Sequence, residues 1–176
     1  MSEKTTFDSA CRLGDIEKVK SLIEKGVTDF DSGLKSACRG GRIEIAKLMI
    51  ENGATNFDDG LCAACNYGYV EIAKLMIEKG VTKYRDSLIS ACLYGYIEIV
   101  NLLIENYAVD LDFDFHSACE GGYIEIVKLF IKKGSTDFIG GFRVACKYGR
   151  RDVAKWFFEE KLIDIDEILD FIISNE

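Results

Sequence analysis

Cys62-Ala63-Ala64-Cys65 is the first feature of the chain that could do chemistry. Two cysteines at this spacing suit a redox pair or half a zinc site. A redox pair needs a strand-to-helix setting and zinc needs two further ligands, and the surrounding sequence offers neither. His116 is the one histidine, so any nucleophile–base pair or imidazole metal site would have to use it. Gly40-Gly41 and Gly121-Gly122 are not followed by the Gly-Lys-Ser or Gly-Lys-Thr of a phosphate loop. Carboxylates are plentiful, but they recur at one spacing along a solvated face. No catalytic residue, metal ligand or cofactor is therefore expected, and a cysteine-based redox or metal site is the remote alternative.

The elements that would position these residues are copies of one unit. The pair Ala-Cys recurs at Ala10-Cys11, Ala37-Cys38, Ala64-Cys65, Ala91-Cys92, Ala118-Cys119 and Ala145-Cys146, always 27 residues on. Three residues past each cysteine stands a glycine, from Gly14 to Gly149, and then an apolar-acidic-apolar step such as Ile43-Glu44-Ile45. The sixth copy keeps that step loosely as Arg151-Asp152-Val153. Six copies without an insertion or deletion predict a repeat array.

Each copy reads as two helices. The first is expected to open at a short polar N-cap such as Ser32, Asp59 or Asp86 and to close at the register glycine. The second carries apolar residues at helical spacing, as in Ile45, Leu48, Met49 and Ile50. Its first-turn acid precedes a lysine by three residues in Glu17/Lys20, Glu44/Lys47, Glu71/Lys74 and Glu125/Lys128, marking an outer, solvated face. Gly26, Gly53, Gly80 and Gly134 end the second helices, whereas Tyr107 and Lys161 stand where that glycine should be. Irregular joints are expected after the fourth and sixth copies. Phe30, Phe57, Tyr84, Leu111 and Phe138 recur in the short connectors as pins between neighbouring copies.

Composition bounds the partners. The chain of 176 residues is 48% apolar, enough for a continuous core, and carries a formal net charge of -8. Such a charge disfavours nucleic acid and anionic membrane. No apolar run is long enough to span a bilayer, and the start lacks the basic and apolar stretches of a secretory signal. The protein is expected in the cytoplasm, of a host cell if its source is viral, with its seven cysteines reduced.

The pattern resembles the ankyrin repeat, whose first helix reads T-P-L-H-x-A-A before a glycine, a second helix and Gly-Ala. Ser32-Gly33-Leu34-Lys35-Ser36-Ala37-Cys38 occupies the place of the first motif, and Gly41, Ile45, Ala46, Met49, Ile50 and Gly53-Ala54 fall at the family's offsets. The resemblance covers essentially the whole chain. It implies an all-α, ankyrin-like solenoid of six helix pairs and a non-catalytic module that binds another protein. Copies fall at about 5–30, 31–57, 58–84, 85–111, 112–138 and 139–165 of a single domain, 1–176, with a capping helix over 166–176. The usual repeat has about 33 residues, so about six are missing from each connector and the β-hairpin finger should shrink to a tight loop. The chain has no proline, and only His116 keeps the family's histidine; Lys35, Cys62, Ile89 and Arg143 replace it in other copies. Shortened, proline-free repeats of this sort resemble those of large DNA viruses and protists.

Residues that vary inside a strict repeat are candidates for partner contact. The residue before the register glycine runs Leu13, Gly40, Tyr67, Tyr94, Gly121, Tyr148, and the one before it Arg12, Arg39, Asn66, Leu93, Glu120, Lys147. Tyr69, Tyr96 and Tyr123 follow the glycine, where they either pack between copies or meet a partner. The expected interaction residues are Arg39, Tyr67, Tyr69, Leu93, Tyr94, Tyr96, Lys147 and Tyr148. With Arg12, Lys35, Arg42, Arg143, Arg150 and Arg151 they suit a partner segment that has apolar anchors flanked by acids. A monomer is expected. The alternative is an architectural or self-associating element that uses Trp156, Phe157 and Phe158.

Overall fold

In every copy the Ala-Cys pair sits inside a first helix, and the apolar-acidic-apolar step opens or enters a second. The computed structural model describes residues 3–166, with side chains from residue 5 onward, and holds twelve α-helices and no strand there. The pairs are α1 (Glu3–Leu13) with α2 (Ile16–Glu24), α3 (Phe30–Arg39) with α4 (Ile43–Glu51), and α5 (Phe57–Tyr67) with α6 (Val70–Glu78). They continue as α7 (Arg85–Tyr94) with α8 (Ile97–Asn106), α9 (Leu111–Gly121) with α10 (Ile124–Lys133), and α11 (Phe138–Lys147) with α12 (Arg151–Glu159). This is the all-α repeat solenoid of six helix pairs that the sequence implies. The expected capping helix, with Ile168, Leu169, Ile172 and Ile173, lies outside the described residues.

The chain divides into two compact units, Met1–Ser90 and Ala91–Glu176, the boundary falling within α7. In the first unit α1, α3 and α5 pack side by side, each against its own second helix, and α4 meets α6. The core repeats with the sequence: Leu34, Ala37 and Cys38 of α3 with Ile45, Ala46 and Met49 of α4, then Leu61, Ala64 and Cys65 of α5 with Ile72, Ala73 and Met76 of α6. In the second unit α9 packs on α10 and α11, α11 on α12, and α10 on both α8 and α12. Aromatic rings supply more of the bulk there. Phe157 lies edge-on to Phe115 and Phe142, with ring centroids 6.1 and 6.4 Å away. Phe157 is fully buried and Trp156 half-buried, so of the three aromatics expected to offer a self-association face only Phe158 is well exposed.

Small residues make this packing possible. A Cβ on Gly33 would fall 2.6 Å from Met49 Sδ and 2.7 Å from the Phe7 ring, and one on Gly60 would fall 2.5 Å from Met76 Sδ. One register position thus yields its volume to a large side chain of the copy before and a long one of its own second helix. The register cysteines Cys11, Cys38, Cys65, Cys92 and Cys119 are buried as small core residues. Cys146 departs from that expectation and is exposed. The earlier cysteines are covered by the copy that follows, as Cys38 is by Gly60 and Cys119 by Gly141, and no seventh helix pair follows Cys146 among the described residues.

The first helices begin three residues earlier than expected. Asp29, Asn56, Asp110 and Asp137 are the N-caps, accepting from the N–H groups of Ser32, Asp59, Phe113 and Gly140 at 3.0–3.2 Å. Ser32 and Asp59 therefore supply the donor, not the acceptor, and Asp86 lies within the first turn of α7. Phe30, Phe57, Leu111 and Phe138 become the first helical residues, half-buried instead of sealed in the core. What remains of the connector is bound by a carboxylate. Asp31 Oδ1 accepts from the amides of Thr55 and Asn56 at 2.7 and 2.8 Å. Asp58 does the same for Thr82 and Lys83, and Asp112 for Thr136 and Asp137. This clasp holds the tight loop that was expected in place of a hairpin finger.

Where the stop glycine is lost, the clasp aspartate is lost too. Gly26, Gly53, Gly80 and Gly134 take φ of 95–116°, the left-handed region that glycine enters without a Cβ penalty. After the fourth copy Tyr107 turns extended instead, and after the sixth Lys161 takes φ 54°, the one non-glycine in that region among the described residues. In those copies the clasp position holds Arg85 and Ile139. The expected irregular joints are thus real, with two different geometries.

Burial pushes the Asp58 carboxyl up, but the amides of Lys83 and Thr82, the Thr82 hydroxyl and the Lys83 charge outweigh it and hold the group below its ordinary value. The Thr136 amide, the Ser135 hydroxyl and the Asp137 amide hold Asp112 low as well. A depressed carboxylate contributes stability above its unfolded pKa of about 3.9, and that contribution is lost as pH falls through the folded value. Asp58→Asn with Asp112→Asn should lower the urea midpoint at about pH 7 and converge with the parent chain in acid. Lys161→Gly should raise stability by up to about 1 kcal/mol, read from the same unfolding curves.

Candidate functional site

The C-terminal ends of the first helices carry the residues that vary most, and the structure sorts them into three groups. The first group lies along the chain's own copies, with Tyr69 and Tyr96 half-buried and Arg42, Tyr123 and Arg150 still exposed. Arg42, Tyr69, Tyr96, Tyr123 and Arg150 occupy the N-cap position of the second helices, yet none makes a side-chain capping bond. Several reach back over the copy before. The Tyr69 ring lies over Gly41, the Tyr123 ring over Gly95, Arg42 over Gly14 and Arg150 over Gly122. Arg42 Nε donates to the Arg12 carbonyl at 3.2 Å and Arg150 Nε to the Glu120 carbonyl at 2.6 Å, satisfying oxygens that a helix end leaves free. Asp15 holds the same position in the first copy, before which the described residues hold no other helix pair, and caps conventionally, accepting from Lys18 N at 3.0 Å. The position forgoes a cap worth about 1 kcal/mol wherever a neighbouring copy can be covered. Arg42 and Arg150 are therefore ties between copies while remaining exposed. Lys35 is paired with Asp59 Oδ2 at 2.8 Å.

The second group is set by backbone clearance. Gly40 and Gly121 share a register position with tyrosines, and variation there was expected to mean that the scaffold is indifferent. It is not. A Cβ on Gly40 would collide with the backbone carbonyl of Arg12, and one on Gly121 with that of Cys92. Successive first helices touch at these two points.

The third group faces water. Tyr67, Tyr94 and Tyr148 are 54%, 55% and 44% exposed and Leu13 is 66% exposed, all at one register position. Arg39 and Lys147 are exposed, while Leu93, Tyr69 and Tyr96 are half-buried. Tyr67 stacks on Tyr69 with centroids 6.2 Å apart, and Tyr94 leans on Tyr96 at 6.3 Å. Lys147 Nζ lies 5.3 Å from the Tyr148 ring centre. In the first unit Arg39 and Tyr67 meet Asp8, Ser9, Arg12 and Ser36 around an open groove of about 440 Å³. Asp8, Ser9 and Ser36 were missed as candidates. The signal was helical spacing, since residues three and four before Arg12 and three before Arg39 share their faces.

The chemistry weighed from sequence finds little support in the geometry. His116 Nε2 lies 2.8 Å from Asp137 Oδ2, the side chain that caps α11, so it links one copy to the next. Cys62 and Cys65 are free thiols on α5. Burial, together with the neighbouring Cys62 and against the Ser87 hydroxyl, pushes the Cys65 thiol up to about 12, the reverse of a redox nucleophile. Burial likewise raises Cys11, with Asp8 adding to it, and Cys38 to about 12. Among the described residues no group of three His, Cys, Asp or Glu side chains could hold a metal ion. No helix there is long and apolar enough to cross a membrane.

Comparison with known proteins agrees with the architecture. Residues 34–114 match the family model of ankyrin repeats in three copies. Among solved structures the crystal structure of the human ASB11 ankyrin repeat domain is similar, with a TM-score of 0.72 and 21% identity over 87% of this chain and 82% of that one. At that identity the likeness bears on fold. No curated protein matches the sequence.

Gly40→Ala should lower stability by about 1–3 kcal/mol despite alanine's better helix propensity, because the obstacle is backbone and cannot swing aside. Urea unfolding measures it, and an unchanged midpoint would remove the close approach from the account.

Proposed function

We propose that this chain, whose residues 34–114 match the family model of ankyrin repeats, is a non-catalytic module that binds another protein through the exposed ends of its first helices and the turns after them. Repeats of this class present extended surfaces to their partners. The observation that carries the reading is the register position of Tyr67, Tyr94 and Tyr148. The scaffold needs glycine at two of its six positions and leaves large aromatic side chains half in water at three others. Tyrosine offers a wide amphipathic contact at small entropic cost, and arginine and tyrosine recur among energetic hot spots. Arg39 and Lys147 flank these rings in sequence terms and are exposed. A partner segment with apolar anchors and flanking acids suits them better than a basic one. Tyr69 and Tyr96 contribute by supporting Tyr67 and Tyr94 from beneath. Leu93, half-buried, adds an apolar edge.

The short connectors favour this surface over the loops. Their amides are already taken by Asp31, Asp58 and Asp112, so the backbone there has few donors left to offer. A cytoplasmic, monomeric protein is the setting that fits the reading.

A partner recovered by pull-down from lysate should bind Tyr67→Ala, Tyr94→Ala chain more weakly by about 2 kcal/mol or more, with the melting temperature almost unmoved. Titration calorimetry and thermal melts decide between the two roles. Undiminished binding with a large loss of stability would return both tyrosines to the scaffold.

A further inference from the structure

The groove at the N-terminal end of the first unit differs from the rest of the surface in its charge. We propose that it is a seat for the carboxylate of one acidic side chain in a partner peptide, with the residue beside that acid resting on Tyr67. This inference rests on the protein-binding reading and deepens it.

Two arginines one repeat apart line the groove, Arg12 at the end of α1 and Arg39 at the end of α3. Gly40 is what brings them together. Its missing side chain lets the end of α3 come against the Arg12 carbonyl at the residue next to Arg39. Neither guanidinium is held by an ion pair among the described residues, although many other cations are. Lys35, Lys47, Lys74 and Lys128 each have a carboxylate within 2.8–3.1 Å, and Arg42 is spent on a carbonyl. A protein with a net charge of -8 has gathered two arginines and a single carboxylate, Asp8, around one concavity.

The remaining lining sets the ligand's chemistry. Ser9 and Ser36 offer hydroxyls, which complement an anion's oxygens. Asp8 brings one negative charge into the same groove, its Oδ1 accepting from Ser32 Oγ at 2.8 Å. Two cations and one anion leave a single net positive charge, which a carboxylate neutralises and a phosphate dianion would overshoot. Arginine's planar fork matches a carboxylate's two oxygens. Tyr67 closes the far side, exposed on one face and stacked on Tyr69 by the other, a platform for an apolar or aromatic neighbour.

The test selects a displayed random dodecapeptide library on the full chain, then measures resynthesised, fluorescein-labelled, C-terminally amidated peptides by anisotropy. Recovered peptides should carry Glu or Asp next to a large apolar residue. Binding should weaken about tenfold or more in R12Q/R39Q and by a similar factor when the peptide's acid becomes its amide, a loss that does not depend on how the protein variant folds. Peptides that lack an acid, or that bind R12Q/R39Q undiminished, would overturn the seat while leaving protein binding to other residues. Tenfold tightening by phosphoserine in place of the acid, or loss on amidating the C-terminus alone, would overturn the side-chain carboxylate as the ligand. If no peptide binds the full chain, the broader reading fails with it.

Discussion

Each copy must hand the chain to the next within a handful of residues, and at three of the joints a carboxylate clasp makes that possible. A connector this short cannot satisfy its own amides by forming a hairpin. Asp31, Asp58 and Asp112 take two amide protons each from the segment that follows, while Asp29, Asn56, Asp110 and Asp137 fix where the next helix starts. One side chain thus satisfies two orphan donors and orients a helix entry, a role that water would otherwise fill less rigidly. After the first copy Gly26 remains although Lys4 holds the clasp position, whereas two joints lack both the aspartate and the glycine stop. There the chain leaves its second helix by extending at Tyr107 or by bending through Lys161.

With entry and exit fixed, the first helices lie close enough that residue size decides the rest. Gly33, Gly60 and Gly141 surrender volume to the neighbours' Met and Phe side chains, and Gly40 and Gly121 surrender it to backbone. Where the helix ends stand clear, the same register position carries tyrosine. Exposed and packed positions therefore alternate within a few residues, so that Tyr67 stands in water while Tyr69, two residues on, lies over Gly41.

Much of this was legible in the sequence. The 27-residue Ala-Cys period placed all six helix pairs, and the register glycines placed their turns. Helix starts were misplaced because Ser32 and Asp59 are themselves good capping types, and only the geometry shows that Asp29 and Asn56 accept from them. The role of Arg42 and Arg150 was hidden for a different reason. A cation at a helix end reads as solvated unless the carbonyl it reaches, 30 residues back, is seen. Gly40 misled in the opposite sense, since the absence of a side chain looks like indifference from sequence and is a demand in space. The exposed tyrosines needed no correction as to place, yet their function is a question of partner chemistry that one chain's sequence does not contain.

The ties between copies also bear on how the chain reaches its structure. Those made by Asp31, Asp58 and Asp112 span 23–25 residues, and those made by Arg42 and Arg150 span 30. Each closes a loop of about one copy, whose entropic cost grows only with the logarithm of its length. Within either unit no such tie waits on a distant partner. The contact order is therefore set by the repeat and not by the length of the chain, the condition under which folding is fast and can spread from whichever pair of copies forms first.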